Sequence, residues 1–254
     1  MSDLDGRGQR YDSTRRAWEE IWQTANVDAE LKAVQYRRAK ATLEAYRPYL
    51  PKDAPILEAG SGLSAVVVTL RRMGYPVIGL DYAVNALRAA DAAVPGQSLV
   101  AGDVHGLPFA DGSLGAYLSF GVLEHFEQGM QPALAEARRV LRPGGVLVLT
   151  IPYPNVVWRL AQFKRALQGS QLIDEDFYES TYSRSDLIDN VVRSGFSVTH
   201  VQPTSHSFTL WGLGGVFRAP GYYRTSLLAE GLGDLSRVVV PWAMNFMTLI
   251  VAHK

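Results

Sequence analysis

The stretch that decides the fold is Ile56-Leu57-Glu58-Ala59-Gly60-Ser61-Gly62-Leu63-Ser64-Ala65. A short apolar strand runs into a turn with two glycines, and an apolar helical segment follows that turn. Gly60 permits a tight turn, and Gly62 lets the backbone approach a ligand closely. The spacing Gly60-x-Gly62-x-x-Ala65 also fits the dinucleotide-binding fingerprint, which is a weak match when it stands alone. The stretch predicts a ligand-binding turn, with a glycine turn that binds nothing as the alternative.

Short apolar strands alternate with helices from residue 55 onward. The predicted strands are Pro55–Glu58, Pro76–Leu80, Ser98–Ala101, Leu114–Phe120, Val146–Ile151, Phe196–Val201 and Phe246–His253. The predicted helices are 63–73, 83–93, 131–141 and Ser185–Ser194, the last with Ser183 and Asp186 as a capping-box pair. This alternation predicts an α/β fold, a mostly parallel sheet with helices on both faces.

Three segments lie outside this alternation. Residues 12–47 are amphipathic at helical spacing, with Asp28 as the expected cap of a second helix, so we expect a helical cap over residues 1–54. The remaining residues, 55–254, are expected to form one domain with insertions near 152–182 and 202–245. Glycines at 212, 214 and 215 favour a loop in the second insertion, because each costs about 1 kcal/mol in a helix interior.

The composition excludes several classes of protein. The chain has 254 residues, 25 basic and 25 acidic, so its zero net charge argues against a basic surface that grips nucleic acid. It has no cysteine, which excludes disulfides, a thiolate nucleophile and iron–sulfur clusters. Met1–Arg16 has no apolar core of a signal peptide. The apolar run Val238–Ala252 is shorter than the roughly 18–20 residues of a membrane span, so we expect a cytoplasmic protein.

Three acidic residues mark the ends of successive strands. Asp81 lies 21 residues after Gly60, where a carboxylate can accept both hydroxyls of an adenosine ribose. Asp103 follows the third strand, where it can accept a hydrogen bond from an adenine amino group. Glu58 lies two residues before Gly60, a position that suits a cationic amino-acid group and repels a pyrophosphate. The three acids favour a nucleoside with positive charge, such as S-adenosylmethionine with its sulfonium and ammonium groups.

Five blocks in order resemble the class I S-adenosylmethionine-dependent methyltransferases, in the type 11 group that includes quinone-biosynthesis and other small-molecule methyltransferases. The blocks are Leu57-Glu58-Ala59-Gly60-Ser61-Gly62, Gly79-Leu80-Asp81-Tyr82, Gly102-Asp103-Val104-His105-Gly106-Leu107-Pro108-Phe109-Ala110-Asp111-Gly112-Ser113, Gly121-Val122-Leu123-Glu124-His125-Phe126 and Arg139-Val140-Leu141-Arg142-Pro143-Gly144-Gly145. The resemblance covers about residues 55–200 and the last strand. Leu63-Ser64 departs from it, since Thr-Gly is commoner after the second glycine, and this predicts a slightly stiffer loop.

The resemblance implies a Rossmann-like sheet of seven strands that ends in an antiparallel pair, with the cofactor at the carboxyl ends of the strands. The residues it implies for S-adenosylmethionine are Glu58, Gly60 and Gly62 near the methionine part, Asp81 at the ribose, and Asp103 with Val104 at the adenine. We also assign Tyr82 and Phe120, which follow two of the strands, to the cofactor site. The expected activity is transfer of a methyl group from S-adenosylmethionine.

His125 is the candidate catalytic base because it follows the fourth strand, where the methyl group is expected. A base is needed only if the acceptor must lose a proton, and a purely structural His125 is an equally open alternative. No metal is expected, because Gly121 stands where a metal-binding Glu-x-x-Glu-His sequence has its first ligand.

Aromatic residues of the insertions are the candidates for binding a small-molecule, hydrophobic acceptor, and we select Trp158, Tyr182 and Trp211. Packing of these side chains on one another is the alternative. Tyr11, Trp18 and Trp22 are expected to close over the cofactor, and a homodimer is a further expectation. Two other functions stay open at this stage: an NAD-dependent oxidoreductase, and a non-catalytic binding subunit with the same fold.

Overall fold

The computed structural model describes residues 3–24, 26–167 and 179–254, with side chains for all of these except 3–13 and 165–167. Residues 168–178 of the predicted insertion 152–182 and the side chain of Tyr11 therefore lie outside the described part of the chain.

One sheet of seven strands organises the chain. The strands are β1 (Ile56–Ala59), β2 (Val77–Asp81), β3 (Leu99–Ala101), β4 (Leu114–Phe120), β5 (Leu141–Pro152), β6 (Ser197–Thr204) and β7 (Met247–His253). Their spatial order is β3-β2-β1-β4-β5-β7-β6. The strands β1 to β5 are parallel, and β7 runs antiparallel to both β5 and β6. The predicted fold class is confirmed, and β5 starts earlier than predicted because Leu141 pairs with Leu114 before a register shift.

Ten helices are described around the sheet. They are α1 (Asp3–Thr24), α2 (Val27–Ala33), α3 (Arg37–Tyr46), α4 (Ala65–Arg72), α5 (Val84–Ala93), α6 (Gln131–Val140), α7 (Val156–Leu167), α8 (Arg184–Arg193), α9 (His206–Gly212) and α10 (Leu227–Val239). The predicted capping box of α8 is confirmed. The predicted cap Asp28 is wrong: Asn26 is the residue with extended backbone, and its side chain accepts a hydrogen bond of 3.1 Å from the backbone N–H of Ala29.

The core lies on both faces of the sheet, which explains the continuous apolar character of the central strands. On one face Leu57 and Leu147 pack with α6 and α8 residues such as Leu134. On the other face Ile56 packs with side chains that include Leu70 of α4. Because every residue of β1 is buried, ligand-binding groups are confined to the strand ends, and the carboxyl ends of β1, β2 and β4 meet at one edge.

The loop predicted in the second insertion is wrong, because residues 202–245 contain both α9 and α10. Gly212 is the last residue of α9, and Gly214 has a φ of +78°, so these glycines end a helix and do not prevent one. The two helices approach closely at Gly233, where an added Cβ would lie 2.7 Å from the backbone nitrogen of Ser207.

Helix α10 therefore packs through small residues and turns its large aliphatic side chains outward. The exposed residues on that helix are Leu227, Leu228, Leu232, Leu235, Val238 and Val239. Of the charged side chains on this helix, Glu230 lies on the packed side and accepts a hydrogen bond from the Ser207 hydroxyl, whereas Arg237 is 55% exposed. None of the helices in the described ranges is long and apolar enough to cross a membrane.

Candidate active site

A cavity of about 250 Å³ lies at the carboxyl ends of β1, β2 and β4. It brings together seven of the predicted site residues, namely Glu58, Gly60, Gly62, Asp81, Tyr82, Phe120 and His125. Residues of α1 and α2 form its remaining wall, among them Arg15, Trp18 and Glu30. The sheet therefore supplies the floor of the cavity and the N-terminal helices supply a cover.

The glycine turn needs glycine at both predicted positions. Gly60 and Gly62 have φ values of +80° and +49°, a region that disfavours side chains. An added Cβ would lie 2.4 Å from Val122 at Gly60 and 2.6 Å from Trp22 at Gly62. Ser64, which stands where the methyltransferases usually have glycine, has a φ of +58°. The departure noted in the sequence thus places a serine in a left-handed conformation at the start of α4.

Asp81 holds the glycine turn as well as facing the cavity. Its Oδ2 accepts a hydrogen bond of 2.7 Å from Gly62 N–H, and its Oδ1 accepts one of 2.8 Å from Ala83 N–H. Burial raises the pKa of Asp81, and these hydrogen bonds oppose the rise because they stabilise the carboxylate. A third hydrogen bond, from the Tyr82 backbone, leaves about one of the four lone-pair positions of the carboxylate for a ligand hydroxyl.

Glu58 is a buried carboxyl group with an unsatisfied oxygen. Only 5% of the residue is exposed, and Oε2 has no hydrogen-bond partner. Burial raises the pKa of Glu58 to about 8, a hydrogen bond from the Val67 backbone opposes the rise, and the charge of Asp81 adds to it. Such a group is stabilised by a cation or a donor placed beside it. The orphaned oxygen therefore fits an ammonium or sulfonium ligand.

Two tryptophans of α1 cover the site, as expected from the sequence. Trp18 and Trp22 stack with ring centroids 5.4 Å apart. Trp18 also makes an edge contact with the imidazole of His125, with centroids 5.3 Å apart. Sequence reasoning missed Arg15, whose guanidinium lies 5.7 Å from the centre of the Tyr82 ring. Arg15 could not be predicted from the sequence, because a basic residue one turn before Trp18 on an amphipathic helix belongs to no recognisable motif.

Asp103 and Val104 do not line this cavity in the part of the chain that the structure describes. The Oδ1 atom of Asp103 accepts a hydrogen bond of 2.8 Å from the His105 N–H and lies 2.9 Å from Nδ1 of that imidazole. Val104 is buried in the main apolar core. The backbone next to Asp103 is joined to the β2 end, because Gly102 N–H donates to the Asp81 carbonyl. Their contact with adenine stays a prediction.

The three residues selected for the acceptor do not come together. Trp158 is 39% exposed on α7, and Tyr182 packs against the core beside α8. Trp211 stacks on Phe208 at 4.9 Å, with the Arg218 guanidinium 4.1 Å from its ring centre. None of the three lines the cavity at the glycine turn, as far as the described residues define it. The aromatic content of the insertions therefore did not predict which of their side chains line this cavity.

Across the described residues, no three His, Cys, Asp or Glu side chains are grouped to hold a metal ion. The chemistry of the site is instead that of acidic groups, glycines and aromatic rings. The orphaned oxygen of Glu58 fits the cationic part of S-adenosylmethionine, and a contact of Asp81 with the ribose stays a prediction.

Comparisons with known proteins agree with this chemistry. A family model described as a methyltransferase domain matches residues 57–149. A putative methyltransferase of Encephalitozoon cuniculi is 31% identical over 66% of this chain and 82% of its own length. A demethylmenaquinone methyltransferase of Thermobifida fusca is 34% identical over 58% of each chain. The chain spans 42% of an uncharacterised Streptomyces fradiae protein to which it is 37% identical.

Solved structures show the same fold. A complex of the Haloferax volcanii Trm112 methyltransferase activator with a putative methyltransferase matches with a TM-score of 0.61 at 18% identity, over 89% of this chain and 92% of that one. A SAM-dependent methyltransferase of Methanosarcina mazei matches with a TM-score of 0.60 at 18% identity, over 83% and 96% of the two chains. The glycine turn, its acidic partners and these relatives together establish that the chain belongs to the S-adenosylmethionine-dependent methyltransferases.

Proposed function

We propose that this methyltransferase acts on a small-molecule acceptor with an apolar part. The observation that carries the proposal is a second cavity of about 210 Å³ that shares Val34, Val66 and Phe120 with the first. Its other lining residues include Leu43, Met247 and five serine or threonine residues, and the surface that they expose in the cavity is mostly apolar. A concave, mostly apolar surface next to a cofactor site suits one small molecule better than a macromolecule.

The residues of the chain contribute mainly binding and orientation. When bound, S-adenosylmethionine would supply its sulfonium methyl group to an acceptor atom and would leave as S-adenosylhomocysteine. Glu58 offers a carboxylate to the cationic part of the cofactor, Asp81 accepts hydrogen bonds from its ribose, and Trp18 with Trp22 exclude water from above. Alignment of this kind accounts for much of the acceleration in such reactions. His125 removes the acceptor proton where the acceptor has one to lose.

We also propose that two segments of the chain have different roles. Residues 1–54 form a helical cap, and residues 55–254 form the catalytic domain that carries the glycine turn. The cap contributes Trp22, which lies against Gly62, and Val34, which lines both cavities. Opening of the cap is then a route by which cofactor and acceptor enter.

A second copy of the chain is the proposed cover for the exposed aliphatic face of α10. The large aliphatic side chains of that face are exposed, and two copies that bring them together about a twofold axis would remove them from water. Light scattering tests this: Leu235→Glu should convert a dimer into a monomer, and a monomeric unmodified protein contradicts it.

The acceptor class is tested with S-adenosylmethionine labelled in its methyl group. We expect label to enter small apolar acceptors from a cell extract passed through a filter that retains macromolecules. Label that enters only retained protein or RNA overturns the proposal, while cofactor binding measured in parallel shows that the enzyme used was competent.

A further inference from the structure

The second cavity contains one charged side chain, Arg38, among its described lining residues. Arg38 is on α3, and its guanidinium lies 4.6 Å from the centre of the Phe208 ring. The Nη1 atom is buried and has no hydrogen-bond partner. Guanidinium groups stay charged in proteins, so a buried donor without an acceptor is costly unless a ligand satisfies it.

Neighbouring groups do not satisfy this donor. Glu230 attracts Arg38 through space, but its Oε1 atom already accepts hydrogen bonds from the hydroxyls of Ser207 and Thr225. Arg37, the next residue, is paired with Asp234 at 2.6 Å and does not line this cavity, although it shares a neighbouring polar cavity with Arg38. Burial lowers the pKa of Arg38 from its ordinary value without removing its charge at neutral pH.

The two adjoining cavities differ in charge. The cofactor cavity has three acidic residues, Glu30, Glu58 and Asp81, and one cation, Arg15, in its wall, whereas Arg38 is the sole charged residue among the described residues that line the second cavity. A negatively charged ligand group is repelled by the first cavity and attracted by the second. An elongated acceptor in the second cavity therefore places its anionic end at Arg38 and extends its other end past Phe120, which lines both cavities.

We propose that the second cavity binds the acceptor and that Arg38 recognises a carboxylate on it, so the substrates are apolar carboxylic acids methylated at an atom remote from the carboxylate. A carboxylate matches a guanidinium in geometry and charge. A phosphate group generally needs more cations than the single one present here. This inference rests on the proposed small-molecule function and names the substrate class of the same site.

The probes for this site are octanoate and octanamide, which have the same length and differ in charge. Each is titrated by calorimetry at about pH 7.5, where a carboxylic acid is ionised, into protein saturated with S-adenosylhomocysteine. That ligand fills the cofactor cavity, so Arg15 is not available to the probes. We expect octanoate to bind at least about tenfold more tightly than octanamide, as for loss of a charge-assisted hydrogen bond.

Variants locate the preference at Arg38. Arg38→Met should remove the preference for octanoate over octanamide, and Arg38→Lys should keep part of that preference. Arg37→Met is the matched control and should keep the preference fully. Equal binding of the two probes to the unmodified protein overturns the inference without any variant. An unchanged preference in a folded Arg38→Met protein overturns it as well. If either negative result is found and S-adenosylmethionine still binds normally, only the inference about the acceptor is wrong. If S-adenosylmethionine does not bind either, the assignment of the cofactor site is also wrong.

Discussion

The Oδ2 atom of Asp81 accepts a hydrogen bond of 2.7 Å from the backbone N–H of Gly62. This bond ties the carboxyl end of β2 to the turn after β1, at the place where both meet the cofactor cavity. Asp81 therefore fixes the conformation of the turn and also lines the cavity, where we propose that its carboxylate binds the ribose. Loss of the Asp81 side chain should therefore weaken cofactor binding in two ways, through the turn conformation and through the lost contact with the ligand.

Asp81→Ala should weaken S-adenosylmethionine binding by roughly 10–150-fold, the effect of losing charge-assisted hydrogen bonds worth about 1.5–3 kcal/mol. Titration calorimetry on the folded variant measures it. Asp91→Ala is the matched control, because Asp91 is an exposed acid on the neighbouring helix α5. Unchanged affinity in Asp81→Ala contradicts the assignment.

The raised pKa of Glu58 predicts how stability depends on pH. Glu58 is protonated up to about pH 8 in the folded protein and ionises near 4.5 in the unfolded chain. Between these values the unfolded state binds fewer protons, so the free energy of unfolding falls as pH rises from 4.5 to 8. Glu58→Gln removes this contribution and should gain stability relative to the unmodified protein as pH rises.

Urea unfolding without cofactor at about pH 5.5, 7 and 8.5 checks this expectation. The comparison with Glu58→Gln is essential because burial also raises the pKa of Glu124 to about 8, which gives the unmodified protein a second contribution of the same sign. A difference between the two proteins that does not change with pH contradicts the account.

The contact between Gly62 and Trp22 predicts that the cap and the turn depend on each other. Gly62→Ala places a methyl group 2.6 Å from the Trp22 ring, so the ring must move and cofactor affinity should fall. Trp22→Ala makes room for that methyl group. Gly62→Ala should therefore reduce cofactor affinity less in the Trp22→Ala protein than in the unmodified protein. A double-mutant cycle should give a coupling energy of about 0.5–3 kcal/mol between the two positions. Strict additivity shows that the cap does not cover the turn.

His125→Ala tests the base. If His125 accepts the acceptor proton, turnover should fall roughly 100-fold or more while S-adenosylmethionine affinity stays near that of the unmodified protein. His253→Ala is the control, since His253 is at the end of β7 that pairs with Val146, remote from the carboxyl end of β5. Full activity in His125→Ala means that the imidazole packs against Trp18 and that alignment alone drives transfer.

Much of this fold is predictable because local patterns and long-range packing agree from residue 55 onward. Buried strands appear in the sequence as apolar runs, and the paired glycines of the turn mark one place where the backbone takes positive φ values. The C-terminal helices were missed because a helix-ending Gly212 and a helix-packing Gly233 have the same local cost as glycines in a loop. Only tertiary contacts distinguish them.

Some residues of the candidate site are predictable from the sequence and others are not. Residues in the turn and at the strand ends, such as Glu58 and Asp81, are predictable from their positions in motifs. Residues that enter from separate helices, such as Arg15 and Arg38, are not, because nothing near them in sequence indicates which cavity they face. The acceptor prediction relied on aromatic content, and Trp211 instead packs on Phe208.

Titration calorimetry of the unmodified protein with S-adenosylmethionine, with NAD as the comparison, tests the central claim most directly. The account predicts saturable binding of S-adenosylmethionine with one molecule per chain, weakened in Glu58→Gln because the orphaned carboxyl oxygen is lost, and no binding of NAD. Binding of NAD, or no binding of S-adenosylmethionine to folded protein, would contradict it.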